Sequence, residues 1–139
     1  GGLSLTGSRF DATDTVIAHN VVPASDGIGG GVLIFGSNDT FVQFSSSSIA
    51  FNSAASGGGL YLGSDQIFFT DCLVANNAAT SQGGGVFVAA DASLYFDGTA
   101  TENYAKLGGT IFSTQVADRS DRFSVQGTIV GTEGVAITL

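Results

Sequence analysis

Clusters of glycine, each followed by a short apolar run, recur along this chain at a nearly constant interval, and that interval restricts what it can fold into. Aligning the last residue of each cluster gives Gly2, Gly31, Gly59, Gly85, then Thr110 in "LGGTIF" and Gly134 in "TEGVAI", spaced by 29, 28, 26, 25 and 24 residues. The stretches that follow read "LSL", "VLI", "LYL", "VFV", "IFS" and "VAI". Their period of two is that of a β-strand. A second landmark moves with the first: "IAHN", "IAFN", "VANN" and "ATEN" end at Asn20, Asn52, Asn77 and Asn103, with Gly127 at the equivalent place in the last repeat. A third is the apolar pair ahead of each Asn: Val42/Phe44, Ile67/Phe69 and Leu94/Phe96. Three strand segments and three corners per repeat describe one coil of a solenoid. The fold expected is all-β: a single-stranded parallel β-helix of about five coils, with three short strands per coil. It is right-handed by the general rule for parallel crossovers. Residues 1–139 form one domain.

Stacked coils place equivalent residues above one another, about 4.8 Å apart. In the strand after each glycine cluster, the first and third residues are expected inside. These are Leu3/Leu5, Val32/Ile34, Leu60/Leu62, Val86/Val88, Ile111/Ser113 and Val135/Ile137. The middle residue then points outward, giving a column of Ser4, Leu33, Tyr61, Phe87, Phe112 and Ala136. Leu33, Tyr61, Phe87 and Phe112 form an apolar stripe that solvent rarely explains, and they are the candidate partner-binding residues. Asn20, Asn52, Asn77 and Asn103 are the structural corner ladder, since Asn and Gly most readily accept the left-handed backbone of a sharp corner. Cys72, at strand spacing from Val74, reads as a small buried residue.

Charge and motif content exclude several functions. With 12 acidic against 4 basic residues and a net charge of −8, the chain lacks a basic patch for nucleic acid or an anionic membrane. No apolar run approaches the length of a membrane span. The glycines precede strands rather than a helix, and Lys106 is the sole lysine, so they do not form a phosphate-binding loop. No catalytic residue, metal site or cofactor is assigned: His19 stands alone, and Arg119 and Arg122 lie with Asp118 and Asp121 in the irregular "ADRSDR" segment. Asp39, Asp65, Asp91 and Asp118 recur in the corner after the first strand. They suit backbone-bonding turn residues better than a calcium column. Asn38 heads an N-glycosylation sequon, "NDT", consistent with a secreted protein.

The pairing of "GGGLYL" and "GGGVFV" with "IAFNSA" and "VANNAA" resembles the repeats of the polymorphic membrane proteins of chlamydial surfaces, which carry GGA[I/L/V] and FxxN tetrapeptides. The chain departs from them at Ile17, Ile49 and Val74, where that family has Phe. The resemblance implies a right-handed parallel β-helix at the cell surface or outside the cell. The strand phases at the two ends of the sequence match without a polar cap, so the chain reads as an uncapped segment of a longer solenoid or as a stacking unit. The function expected is an extracellular structural or adhesive module. It would self-associate, or pack on another extracellular protein, through its ends and its outward stripe. A carbohydrate-binding or polysaccharide-processing β-helix is the alternative.

Overall fold

Parallel pairing between equivalent residues of successive repeats organises the chain in a computed structural model that describes residues 1–7, 9–36, 41–114, 123–130 and 137–138. The first coil comprises β1 (Leu3–Leu5), β2 (Phe10–Thr13) and β3 (Val16–Ala18), and the second β4 (Val32–Ile34), β5 (Phe41–Ser45) and β6 (Ser48–Ala50). A short strand β7 (Ser53–Ser56) follows the second coil. The third and fourth coils are built on β8 (Leu60–Ala75) and β10 (Val86–Thr101), with β9 (Ala78–Gln82) between them. Next come β11 (Ile111–Ser113), β12 (Phe123–Val130) and β13 (Ile137–Thr138). The product is an all-β parallel solenoid of about four turns, close to the five expected. The expectation of three short strands per coil holds in the first two coils only. In β8 and β10 the three segments run on as one strand each, and β8 still bends between the second and third walls at Asp71, whose φ of 52° matches that of Asp14 and Ser46 in the earlier coils.

The walls are read from the pairing. β1, β4, the starts of β8 and β10, β11 and β13 form the first wall. β2, β5, the middles of β8 and β10 and the start of β12 form the second. The third consists of β3, β6 and the ends of β8, β10 and β12. Val32, Ile34, Leu60, Leu62, Val86, Val88 and Ile111 are fully buried, as the alternation requires, and Ser113 is buried with them. On the second wall, inside the coil, Phe44 stacks on Phe69 at 5.4 Å and Phe96 packs against Phe69 at 5.7 Å with its ring tilted by 54°. Ala12 occupies their column in the first coil, where Phe10 leans over Phe44 at 5.8 Å. Each such side chain contributes about 1.5 to 3 kcal/mol through burial.

Three sequence expectations are corrected. First, the corner asparagines are not the left-handed residues. The residue ahead of each one is: His19, Phe51, Asn76 and Glu102 have φ of 60°, 56°, 54° and 54°. Asn52, Asn77 and Asn103 are instead buried and bonded coil to coil. The backbone N–H and the Nδ2 of Asn20 both donate to Asn52 Oδ1 at 3.0 Å. Asn52 repeats this onto Asn77 Oδ1, and Asn77 onto Asn103 Oδ1. The same amides also donate backward: Asn52 to the Ile17 carbonyl at 3.0 Å, Asn77 to Ile49 and Asn103 to Val74 at 2.8 Å.

Second, Gly127 lies opposite Gly98 within the wall and not in the asparagine column. Third, Ile111 pairs with Ile137, so the last repeat is displaced by two residues from the register read at Gly134. Val135 lies outside the described residues.

The glycine clusters do make the corner into the first wall. Gly57 and Gly83 hold φ of 63° and 61°. A Cβ on the following Gly84 would strike the carbonyl oxygens of Gly109 and Tyr104 in the next coil.

Asn77→Ala removes the acceptor of the Asn52 N–H and Nδ2 and the donor to the Ile49 carbonyl, so three buried groups of the preceding coil are orphaned. By chemical denaturation followed by circular dichroism, it should lower unfolding free energy by about 3 kcal/mol, and Asn20→Ala at the ladder's edge by less than about half of that.

Candidate functional site

The outward stripe forms as a register column: Leu33 faces Tyr61, Tyr61 faces Phe87, and Phe87 faces Phe112. Tyr61 and Phe87 are stacked at 4.6 Å and 4°, and Phe87 and Phe112 at 5.4 Å and 25°. Coil spacing is close to the thickness of stacked rings, so the column closes on itself along the solenoid axis. Phe87 and Phe112 are buried, while Leu33 and Tyr61 are half-buried. What the stripe offers a neighbour is mainly ring edges, since the faces are used within the stack.

A second aromatic column, missed in the sequence, runs on the outside of the second wall. Phe41 stacks on Phe68 at 5.0 Å, and Phe68 on Tyr95 at 4.6 Å and 4°. The Arg9 guanidinium lies over the Phe41 ring, 5.2 Å from its centroid, and bonds Asp11 at 3.0 Å. Around this column stand Gln43, Gln66, Thr70, Asp97 and Gln126, all exposed or half-buried. A shallow groove of about 190 Å³ beside it is lined by Phe68, Thr70, Tyr95, Asp97, Ser124 and Gln126, among others. Phe68 and Tyr95 are the middle residues of the second strands, between the inward pairs Ile67/Phe69 and Leu94/Phe96, whereas Phe41 stands opposite Gln66, two residues off their register.

Cys72 is buried as expected, and its surroundings explain why. At the corner between the second and third walls, the first three coils each place a small hydrogen-bond donor that reaches the carbonyl two residues back. Thr15 Oγ1 donates to Thr13 at 3.1 Å, Ser47 Oγ to Ser45 at 2.7 Å, and Cys72 Sγ to Thr70 at 3.3 Å. The thiol also donates to the Phe44 carbonyl at 3.3 Å. Cys72 thus stands in a hydroxyl column. In the next coil the corner residue is dropped: Phe96 still pairs with Phe69, but Gly98 pairs with Cys72. Burial pushes the Cys72 thiol above the ordinary thiol range, and the Asp71 carboxylate adds to this against the opposing backbone hydrogen bonds of Ser47 and Thr70.

Of the remaining sequence candidates, the two described aspartates do not form a column. Asp91 pairs with Ser64 and Asp65 with Ala92, so these two positions are offset by one residue instead of forming a column. Asp39, Asp118, Arg119, Arg122 and the sequon residue Asn38 lie outside the described residues. Among the described residues, no group of three His, Cys, Asp or Glu side chains is placed to hold a metal ion. No protein-family model, curated protein or solved structure matches the chain.

Two outcomes are expected. Phe87→Ala opens the centre of a three-ring stack and should cost about 3 kcal/mol in thermal or urea unfolding, against less than about 1 kcal/mol for Leu33→Ala at its end. For Cys72, the raised thiol pKa means the folded chain holds the proton more tightly than the unfolded chain. Its contribution to stability is therefore full below the unfolded thiol pKa of about 8.5 and is lost as pH rises above it. Unfolding titrations across that range should show a decline that Cys72→Ser removes, with the folded thiol resisting disulfide reagents until the chain is unfolded.

Proposed function

We propose that this chain is an extracellular structural or adhesive β-solenoid module that joins further coils, or a partner chain, through its coil edges, with the outward aromatic stripe as a lateral contact. One observation carries the reading. The partly buried hydrophobic residues packed against the core are Leu3, Leu5, Phe10 and Ile17 on the first coil and Val125 and Ile129 on β12. These opposite edges share columns. Ala12 and Val125 are successive-coil equivalents of the Phe44, Phe69 and Phe96 column, and Ile17 and Ile129 of the Ile49, Val74 and Ala100 column. A coil added at either edge, from the same polypeptide or from a second copy, would bury these side chains and pair the backbone of the edge strands. Head-to-tail stacking of copies does not close, so its product is a filament. The tetrapeptide resemblance to polymorphic membrane protein repeats supports the same reading and a location at the cell surface. The outer walls carry stacked rings among the described residues, which supports a scaffold reading.

A carbohydrate-binding role is the second reading. It is favoured by the amide and hydroxyl side chains that flank the Phe41, Phe68 and Tyr95 column. The stacking of those rings on each other weighs against it, because a sugar would meet ring edges where it needs a face.

Sedimentation velocity and electron microscopy across a concentration series separate these readings. End-to-end assembly should appear as species growing with concentration, reduced by Ile17→Asp and by Ile129→Asp. Monodisperse monomers at every concentration would reject association through the edges.

A further inference from the structure

The column just ahead of the asparagine ladder has a feature that folding alone does not require. His19, Phe51, Asn76 and Glu102 occupy equivalent corner positions in successive coils, all in the left-handed backbone region. The register Ala18, Ala50, Ala75, Thr101 immediately before them fixes the equivalence. Asn and His are common in that conformation, whereas a bulky side chain there is an outlier. Phe51 is such a residue, and it gains little burial in return: it is 53% exposed. Strain held at an exposed aromatic residue is the pattern of a binding position.

The surroundings define what would bind. One face of the Phe51 ring is stacked on His19, with centroids 5.1 Å apart and an interplanar angle of 6°. In the other direction along the axis the next coil supplies Asn76, and the coil beyond it the exposed carboxylate residue Glu102. Coils are about 4.8 Å apart, so Phe51 and Glu102 lie about 10 Å apart along the axis, with the amide of Asn76 at the level between them. Phe51 and Glu102 are exposed and both are longer than the half-buried Asn76 between them, so a planar group outside that amide can meet the ring and the carboxylate. The chain has 12 acidic and 4 basic residues, so a cation is the complementary visitor, and a second copy of this chain is a poor source of one. Guanidinium is the planar cation: it stacks on aromatic faces and donates in parallel to a carboxylate, which a lysine ammonium does not.

We propose that Phe51, Asn76 and Glu102 form a docking site for an arginine side chain of a basic partner protein. The guanidinium stacks on Phe51 and pairs with Glu102. The proposal is independent of association through the coil edges.

The test is fluorescence polarisation with a labelled oligoarginine peptide and a length-matched oligolysine. Phe51→Asn and Glu102→Gln are the site variants, and Asp26→Asn, an exposed residue elsewhere, is the charge-matched control. Oligoarginine should bind more tightly than oligolysine. Each site variant should weaken oligoarginine binding by about 3- to 10-fold, while Asp26→Asn should change it by less than about twofold. Phe51→Asn should also raise the melting temperature, since Asn suits the left-handed corner, so loss of binding is not loss of fold. Equal binding of the two peptides, or equal effects of Asp26→Asn and Glu102→Gln, would mean diffuse attraction and overturn the proposal. So would a fall in melting temperature for Phe51→Asn, which would make the ring structural.

Discussion

The stacking of coils depends on buried asparagine carboxamides that bond both forward and backward along the solenoid. A parallel strand pair satisfies its own backbone, but a corner leaves N–H and C=O groups with no ladder to join. At each turn into β7, β9 and their equivalents, the asparagine Oδ1 accepts the N–H of the preceding coil's asparagine, and Nδ2 donates to a carbonyl in the third wall of that coil. One short side chain thus joins each corner to the coils on either side. The geometry demands a donor and an acceptor on the same planar group at fixed reach. Asp lacks the donor, Gln reaches too far, and Ser offers a single atom.

The rest of the structure follows from coils held in that register. Equivalent side chains fall into columns, so a ring in one coil meets whatever stands at the same place in the next. Inside, this gives the Phe44, Phe69 and Phe96 stack. Outside, it gives the Tyr61, Phe87 and Phe112 stack and the Phe68 and Tyr95 pair, against which Phe41 packs from two residues off the register. The same columns give the glycine clusters their necessity, because successive backbones approach there too closely for a Cβ. The roles proposed for this scaffold lie at the edges, where columns are incomplete, and at the Phe51 corner, where one coil departs from the residue its neighbours prefer.

Period and face were legible in the sequence because both are set by local chemistry: glycine where backbones crowd, and alternation where one face is buried. Val32, Leu60 and Val86 were placed inside on that ground alone and are buried. The asparagine column was legible as a landmark but not in its role. A preference for left-handed backbone and a capacity for side-chain bonding are both properties of Asn, and only the coil geometry separates them. The loss of one corner residue between Phe96 and Gly98 escaped because a single deletion leaves the spacing of landmarks almost unchanged. The second aromatic column escaped for another reason. Phe68 lies between Ile67 and Phe69 in a wholly apolar run, where alternation carries no contrast.

The most direct test of the carboxamide ladder is hydrogen exchange of the asparagine side-chain amides by NMR in the folded protein. Side-chain amides ordinarily exchange fast, so protection reports burial and bonding specifically. The expected result is that the Asn52 and Asn77 carboxamide protons persist on the timescale of the slowest backbone amides, with Asn20 less protected and the exposed Gln66 unprotected. Exchange of Asn52 and Asn77 at the rate of Gln66 would contradict a solenoid held together in this way.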